Sequence, residues 1–209
     1  MMKLIFIILV IGFLAYWYKC FLGINFSRRY SLSRYLPLKF MQRELPIMVK
    51  PGKPGTVLRY DFNWPFLNAL EWYDPWSREQ GLVEGGFARI AGERPVYHFL
   101  KSRSVKDYSI RPKKAVIVRA GDVFTYKARV RVLPEGEARL WLGTIARDQG
   151  RNVISWNQVK QQADMARYDT WQTVEKTFTV PDGTVSIQIS ISGQGKGLFW
   201  VDWVELEKK

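Results

Sequence analysis

The side chains of this 209-residue chain best suited to chemistry are aromatic. Trp64, Trp72, Tyr73 and Trp76 crowd one stretch, Asn63 to Gln80, while Trp141, Trp156 and Trp203 stand in separate strand-like runs. Flat rings stack on the apolar faces of pyranose sugars while a few polar groups read the hydroxyls. The same rings serve equally well as core or as anchors in a protein interface. Glu71, Asp74 and Glu79 share the aromatic stretch, and two carboxylates at a set separation would serve glycoside hydrolysis. Nothing in the spacing sets that separation, and acids in a loop are ordinarily solvated surface. One histidine (His98, in the run VYHFL) and one cysteine (Cys20) exclude most zinc sites and most Ser-His or Cys-His catalysis. They also exclude any disulfide within the chain. Gly193–Gly197 lacks the Gly-Lys-Ser/Thr ending of a phosphate loop. These residues point to binding, not catalysis.

Such residues need elements to hold them, and the first of these is at the N-terminus. Leu4 to Ile24, LIFIILVIGFLAYWYKCFLGI, carries no charge except Lys19, and a bilayer-spanning helix requires roughly 20 such residues. Lys19 lies near one end, where its stem can lift the ammonium into the headgroup layer. Trp17 and Tyr18 fall where an interfacial aromatic belt would lie. Met1-Met2-Lys3 would also open a cleaved signal peptide, but no small-x-small cleavage site follows. Residues 1–24 are expected to be an uncleaved single-pass transmembrane anchor, with Cys20 a small apolar residue inside it.

Residues 25–55 form a second region. Nine Lys or Arg and one acid, Glu44, fall within residues 1–55, which leaves 23 basic and 18 acidic residues for 56–209. Most of the formal charge of +13 therefore belongs beside the anchor. Basic residues so placed suit anionic headgroups, and Arg28, Arg29 and Arg34 join Trp17, Tyr18 and Lys19 as the expected membrane interface. No helix-turn-helix, zinc-finger or RNP-type motif accompanies the charge, so no nucleic-acid partner is expected. About half of the segment is apolar and Pro37 and Pro46 block one long helix. It is too short for its own core and too apolar to stay free. It should lie on headgroups, on its own domain or on another subunit.

Pro51-Gly52-Lys53-Pro54-Gly55 then punctuates the chain, and a domain over residues 56–209 follows. Strand-like runs recur at 56–62, 87–90, 96–100, 114–118, 123–133, 138–146, 173–180, 185–192 and 198–206, the spacing of a sandwich or barrel. In 123–133, Phe124, Tyr126, Ala128, Val130 and Val132 oppose Thr125, Lys127, Arg129 and Arg131. In 185–192, Val185, Ile187, Ile189 and Ile191 oppose Ser186, Gln188, Ser190 and Ser192. One face in and one face wet predicts antiparallel sheet. In 198–206 the pattern puts Phe199, Val201 and Trp203 on one side and Trp200, Val204 and Leu206 on the other. Both sides are apolar. Val159–Arg167 has room for one helical turn.

Four segments carry a family resemblance. Val118-Arg119-Ala120-Gly121-Asp122 leads into VFTYKARVRV, and Thr170-Trp171-Gln172-Thr173-Val174 leads into FTVPDGTVSIQISI. Gly193-Gln194-Gly195-Lys196-Gly197 reads as a tight hairpin before the closing strand FWVDWVEL, Phe199 to Leu206. Together they resemble the carbohydrate-binding modules of the CenC type, within the galactose-binding-like jelly-roll fold. The resemblance implies an antiparallel jelly-roll β-sandwich behind the transmembrane helix. It also implies that Asp202 could help hold a structural calcium, although Trp203 stands where the family often carries a second acid or amide.

Two functions compete at this level. The first is a non-catalytic, membrane-anchored accessory or scaffolding subunit of a larger membrane protein assembly. It would use the anchor, the apolar segment after it and the aromatic surface of Trp64, Trp72, Tyr73, Trp76, Trp141, Trp156 and Trp203. The second is a membrane-tethered module that binds envelope polysaccharide. The apolar segment favours the first, since a sugar-binding head is better served by a polar stalk; the family resemblance favours the second. The expected location is a bacterial-type inner membrane. Positive charge after the anchor argues for a cytoplasmic domain, whereas the short basic tail before it and the resemblance argue for an extracytoplasmic one, the orientation expected here.

Overall fold

A computed structural model of the chain describes residues 6–14, 47–63, 72, 76–77, 83–88, 90–93, 97–102, 107–156, 161–167 and 169–209. In chain order its strands are β1 (Ile47–Val49), β2 (Gly55–Tyr60), β3 (Trp76–Ser77), β4 (Val83–Ala88), β5 (Tyr97–Ser102), β6 (Tyr108–Ile110) and β7 (Lys114–Ile117). They continue with β8 (Val123–Pro134), β9 (Arg139–Arg147), β10 (Val153–Trp156), β11 (Gln161–Gln162), β12 (Gln172–Thr179), β13 (Ser186–Gln194) and β14 (Gly197–Lys208). Two sheets result. An eight-stranded sheet centres on β13, which pairs with β6 and β7 on one side and β9 on the other, and β10 and β11 pair with the far side of β9. A six-stranded sheet centres on β14, flanked by β8, β5 and β2. All pairings between strands are antiparallel except that of β1 with β7. The domain is a β-sandwich.

Alternation in β8 explains the core. Phe124, Tyr126, Ala128, Val130 and Val132 are fully buried and meet Ile187, Ile189 and Ile191 of β13 and Leu140 and Leu142 of β9. The buried Tyr126 hydroxyl donates to the Ser190 carbonyl at 3.0 Å, which offsets the cost of burying it. That burial pushes its pKa well up. The opposite side of β8 is less wet than its sequence suggests, for Thr125 is also buried, beside Thr177 at 2.9 Å.

Several expectations change. The polar side of β13 is not solvated, because Ser186, Gln188, Ser190 and Ser192 are all buried; Val185, expected inside, is partly exposed. A register shift between Val201 and Trp203 breaks the alternation of β14. Phe199, Val201, Val204 and Leu206 therefore all reach the main core, and Trp200 packs on the other side with Tyr97 and Phe99. Gly193–Gly197 is no hairpin either. It carries the chain from β13 in one sheet to β14 in the other. There the backbone is pressed close: a Cβ on Gly195 would collide with the Glu137 carbonyl, and one on Gly197 would sit 2.7 Å from that of Leu133. Within the expected helical turn, Gln161–Gln162 is strand and Met165–Arg167 is a single 3-10 turn.

The N-terminal readings fare differently. Residues 6–14 are helical and their apolar side chains are exposed. No helix among the described residues is long and apolar enough to cross a membrane. The rest of the expected anchor, with Trp17, Tyr18 and Lys19, lies outside the described residues, as do Arg28, Arg29 and Arg34. Ile47–Val49, at the end of the basic apolar segment, joins the eight-stranded sheet, and Val49 packs on the main core. The sandwich thus takes in residues before Thr56.

Candidate functional site

The residues singled out for sugar or partner contact separate onto different parts of the sandwich. Trp64 and Tyr73 lie outside the described residues, as do Glu71, Asp74 and Glu79. Trp72 is buried in the main core, edge-on to Tyr60 at 5.2 Å and Phe62 at 5.3 Å, and bridges to Pro112. Its ring is core and offers no platform. Trp203 lies on the six-stranded sheet with the Arg59 guanidinium 5.7 Å from its ring centre. The remaining three, Trp76, Trp141 and Trp156, belong to the eight-stranded sheet.

Register places these residues together with polar groups. Leu140 and Leu142 point into the core, so Trp141, Ile145 and Arg147 project from the outer face of β9. Across the ladder they meet Ser192, Gln188 and Ser186 of β13, and Gly143 meets Ser190. Trp156 pairs with Ile145 from β10, and Trp76 pairs with Ser109 of β6. The outer face therefore has a polar floor along β13 with tryptophan positions on the strands around it.

That floor is organised by hydrogen bonds. Arg147 donates from Nη2 to Oε1 of Gln188 at 3.1 Å, and Gln188 donates from Nε2 to the Pro112 carbonyl. Ser192 donates to Ser109 at 3.0 Å. Ser190 differs: its side-chain oxygen is buried without a hydrogen-bond partner. Such an orphan costs roughly 1–3 kcal/mol and calls for an explanation. On the same face, the Arg111 guanidinium lies 5.7 Å from the ring centre of Trp156, which is 60% exposed. The exposed ring of Trp156, fixed amide and guanidinium donors and an unsatisfied hydroxyl can hold a polyhydroxylated ligand. Among the described residues no group on this face is placed as a nucleophile or as an acid–base pair.

The outer face of the six-stranded sheet carries a second aromatic group. Tyr97, Phe99 and Trp200 are buried there, with Ile90, Leu133, Trp171 and Leu198 against them. Tyr97 donates to the Glu93 carboxylate; burial first, and that carboxylate second, raise its pKa. Arg131 pairs with Asp169 at 2.6 Å and Glu93 at 3.3 Å. Arg129 pairs with Asp202 at 2.7 Å and lies over Trp171. The candidate calcium ligand Asp202 thus faces a guanidinium, whose positive charge opposes a cation at the same carboxylate. Among the described residues no three His, Cys, Asp or Glu side chains gather in a way that would hold a metal. Among the described residues, those around Asp202 do not fit a calcium site.

Sequence reasoning missed Arg111, Arg147, Gln188 and Ser190 as members of the outer face. The available signal was the all-polar alternate series of β13, which a wet surface produces just as well.

Comparison with solved structures bears on the fold. Family 22 carbohydrate-binding modules superpose on the chain. The N-terminal module pair of a Clostridium thermocellum xylanase, a family 22 module joined to a glycoside hydrolase family 10 module and complexed with xylohexaose, gives a TM-score of 0.54 at 14% identity. The match covers 75% of this chain and 29% of that one. The C-terminal family 22 module of the same xylanase, studied for the residues of its ligand-binding cleft, gives 0.53 at 8% identity over 76% and 96% of the two chains. A xylan-binding family 22 domain from Paenibacillus barcinonensis gives 0.51 at 13% identity over 76% and 97%. The fold is that of a carbohydrate-binding-module β-sandwich. The chain spans less than a third of the two-module xylanase fragment and nearly all of the isolated modules. No protein-family model matches the sequence, and no curated protein matches it. The expected carbohydrate-binding-module-like sandwich is thus supported, through family 22 modules and not through the CenC type.

Proposed function

We propose that the sandwich is a non-catalytic carbohydrate-binding module that takes a polysaccharide across the outer face of its eight-stranded sheet. One observation carries this reading. The exposed Trp156 shares that face with the Arg147–Gln188 pair and with the unpartnered Ser190 hydroxyl, so an apolar platform and hydroxyl-reading groups lie together, while Trp141 is buried beside them. The fold shared with xylan-binding modules supports it. The scaffold reading is weaker. It drew on an apolar segment in need of cover, and Ile47–Val49 at the end of that segment lies against its own sheet. Isothermal titration with soluble xylan and with envelope polysaccharide tests the proposal. Saturable binding weakened about tenfold by Trp156→Ala is expected; binding to neither, or binding indifferent to both Trp156→Ala and Trp141→Ala, overturns it.

We also propose that the N-terminal region tethers this module to a membrane, with the sandwich on the extracytoplasmic side. The exposed apolar helix at residues 6–14 supports the tether, though at 1.5 Å per residue it spans only about half of a bilayer's hydrocarbon core. Protease added to intact spheroplasts should digest the sandwich. Protection until lysis would reverse the orientation.

A further inference from the structure

The contact between Arg111 and Trp156 is unusual in what it crosses. Arg111 lies between β6 and β7, which pair with one side of β13, whereas Trp156 ends β10, which pairs with the far side of β9. Two strands lie between them, so their backbones are three inter-strand steps apart, roughly 14 Å in a flat sheet. The guanidinium nevertheless reaches the ring. Both side chains must therefore lean over the outer face from opposite margins. Register shows what lies beneath. Ile110 is opposite Ile191, so the next position, 111, follows on beside Ser190, and Ser190 is opposite Gly143. Gly143 raises no side chain in that row. The contact thus starts in the row of Ser190, whose hydroxyl is buried and unpartnered, and ends in the next row, where Trp156 pairs with Ile145 and Ile145 with Gln188.

We propose that Arg111 and Trp156 form a clasp that closes the glycan-binding face, and that a bound polysaccharide displaces the guanidinium from the ring and hydrogen-bonds to Ser190. This rests on the carbohydrate-binding reading and adds its gate. In the free protein the clasp covers the floor; the ligand takes over the Trp156 face by stacking and supplies the partner that Ser190 lacks. A binding-competent state that is only partly populated weakens apparent affinity by its population. Removing the clasp should therefore tighten binding.

Ring-current shifts read the clasp without any glycan. In nuclear magnetic resonance spectra of the free full-length protein, the Arg111 δ-methylene protons should lie upfield and return to ordinary positions in Trp156→Leu. They should also return when the wild type is saturated with the polysaccharide it binds. Arg111→Ala should bind that polysaccharide about two- to fivefold more tightly, the range expected for an exposed cation–π contact. Absence of the upfield shift in the free protein, its persistence at saturation, or unchanged or weaker binding by Arg111→Ala would each overturn the clasp. If neither wild type nor Arg111→Ala binds xylan or envelope polysaccharide, the carbohydrate reading falls and the gate with it. A shift still present in the free protein would then show that the contact itself is real.

Discussion

The two outer faces of the sandwich are both aromatic and both carry an arginine over a tryptophan, yet they differ in how their polar atoms are used. On the six-stranded sheet, Tyr97, Phe99 and Trp200 are buried beside Trp171, and Arg129, Arg131 and the Tyr97 hydroxyl each have an acidic partner. On the eight-stranded sheet, Trp156 is exposed and Ser190 keeps an unpartnered oxygen. The first arrangement is complete as it stands. The second gains by adding a ligand. Aromatic abundance therefore does not distinguish a binding face from a small satellite core; the state of the polar groups does.

The comparison can be broken most forcefully at Trp200. Replacing it with alanine should lower stability by about 3–5 kcal/mol in thermal or denaturant unfolding, as for other large buried rings, and leave the glycan affinity of the folded fraction unchanged. A loss of affinity there would show that the six-stranded face binds too. Trp156→Ala should do the reverse, with a stability change within about 0.5 kcal/mol, typical of exposed sites, and roughly tenfold weaker binding. Ser190→Ala removes an orphan hydroxyl, so unfolding should shift upward by about 1 kcal/mol while affinity falls. A destabilised Ser190→Ala would mean that the oxygen is already satisfied in the free protein.

Smaller effects sharpen the contrast. Asp202→Asn should cost about 0.5–1 kcal/mol through the partly exposed Arg129 pair, and added calcium should not change that figure. Acid should act on both sides, through Asp122 and Glu207 and through Asp148 in the β9–β10 turn, whose pKa is lowered by hydrogen bonds from Asn152. Hydrogen bonding to Lys208 lowers the pKa of Asp122, and bonding to Lys209 and then Lys127 lowers that of Glu207. Carboxyls held lower in the fold than in the unfolded chain stabilise above their unfolded values and lose that contribution as pH falls through their folded ones. Stability should thus decline slightly below the ordinary values of 3.8 and 4.5. None of the glycan-face residues named above is a carboxylate, so affinity per folded molecule should hold over the same range. A parallel fall in affinity would place an acid on that face.

What could be read from sequence follows from how each signal arises. The β8 alternation survives because one side chain series fills the core. Nine strand runs were legible in place, within a few residues of their observed ends. The phase of β14 was not, since a bulge beside Asp202 inserts one residue and lets Val201 and Val204 both turn inward. Nor was the burial of the β13 serines, because a covered polar face has the same alternation as a wet one. Short partners such as β1 and β6 carry too few residues for any period to show. Trp72 shows the limit for single residues: a ring that fills the core and a ring that holds sugar are spelled alike.

The place of β14 bears on how the protein is made. This strand lies at the centre of the six-stranded sheet, joined to β8, β5 and β2, and it is built from residues 197–208. A ribosome delivers β2, β5 and β8 long before the strand that unites them. During that interval the inward rings of β8 and the row of isoleucines in β13 lack the sheet that will cover them. Contacts so distant along the chain are slow to close, and strands left without partners in the meantime are prone to wrong association. Translation arrested just before residue 197 should therefore leave a nascent chain that needs a chaperone, and synthesis of Gly197–Lys208 should end that need.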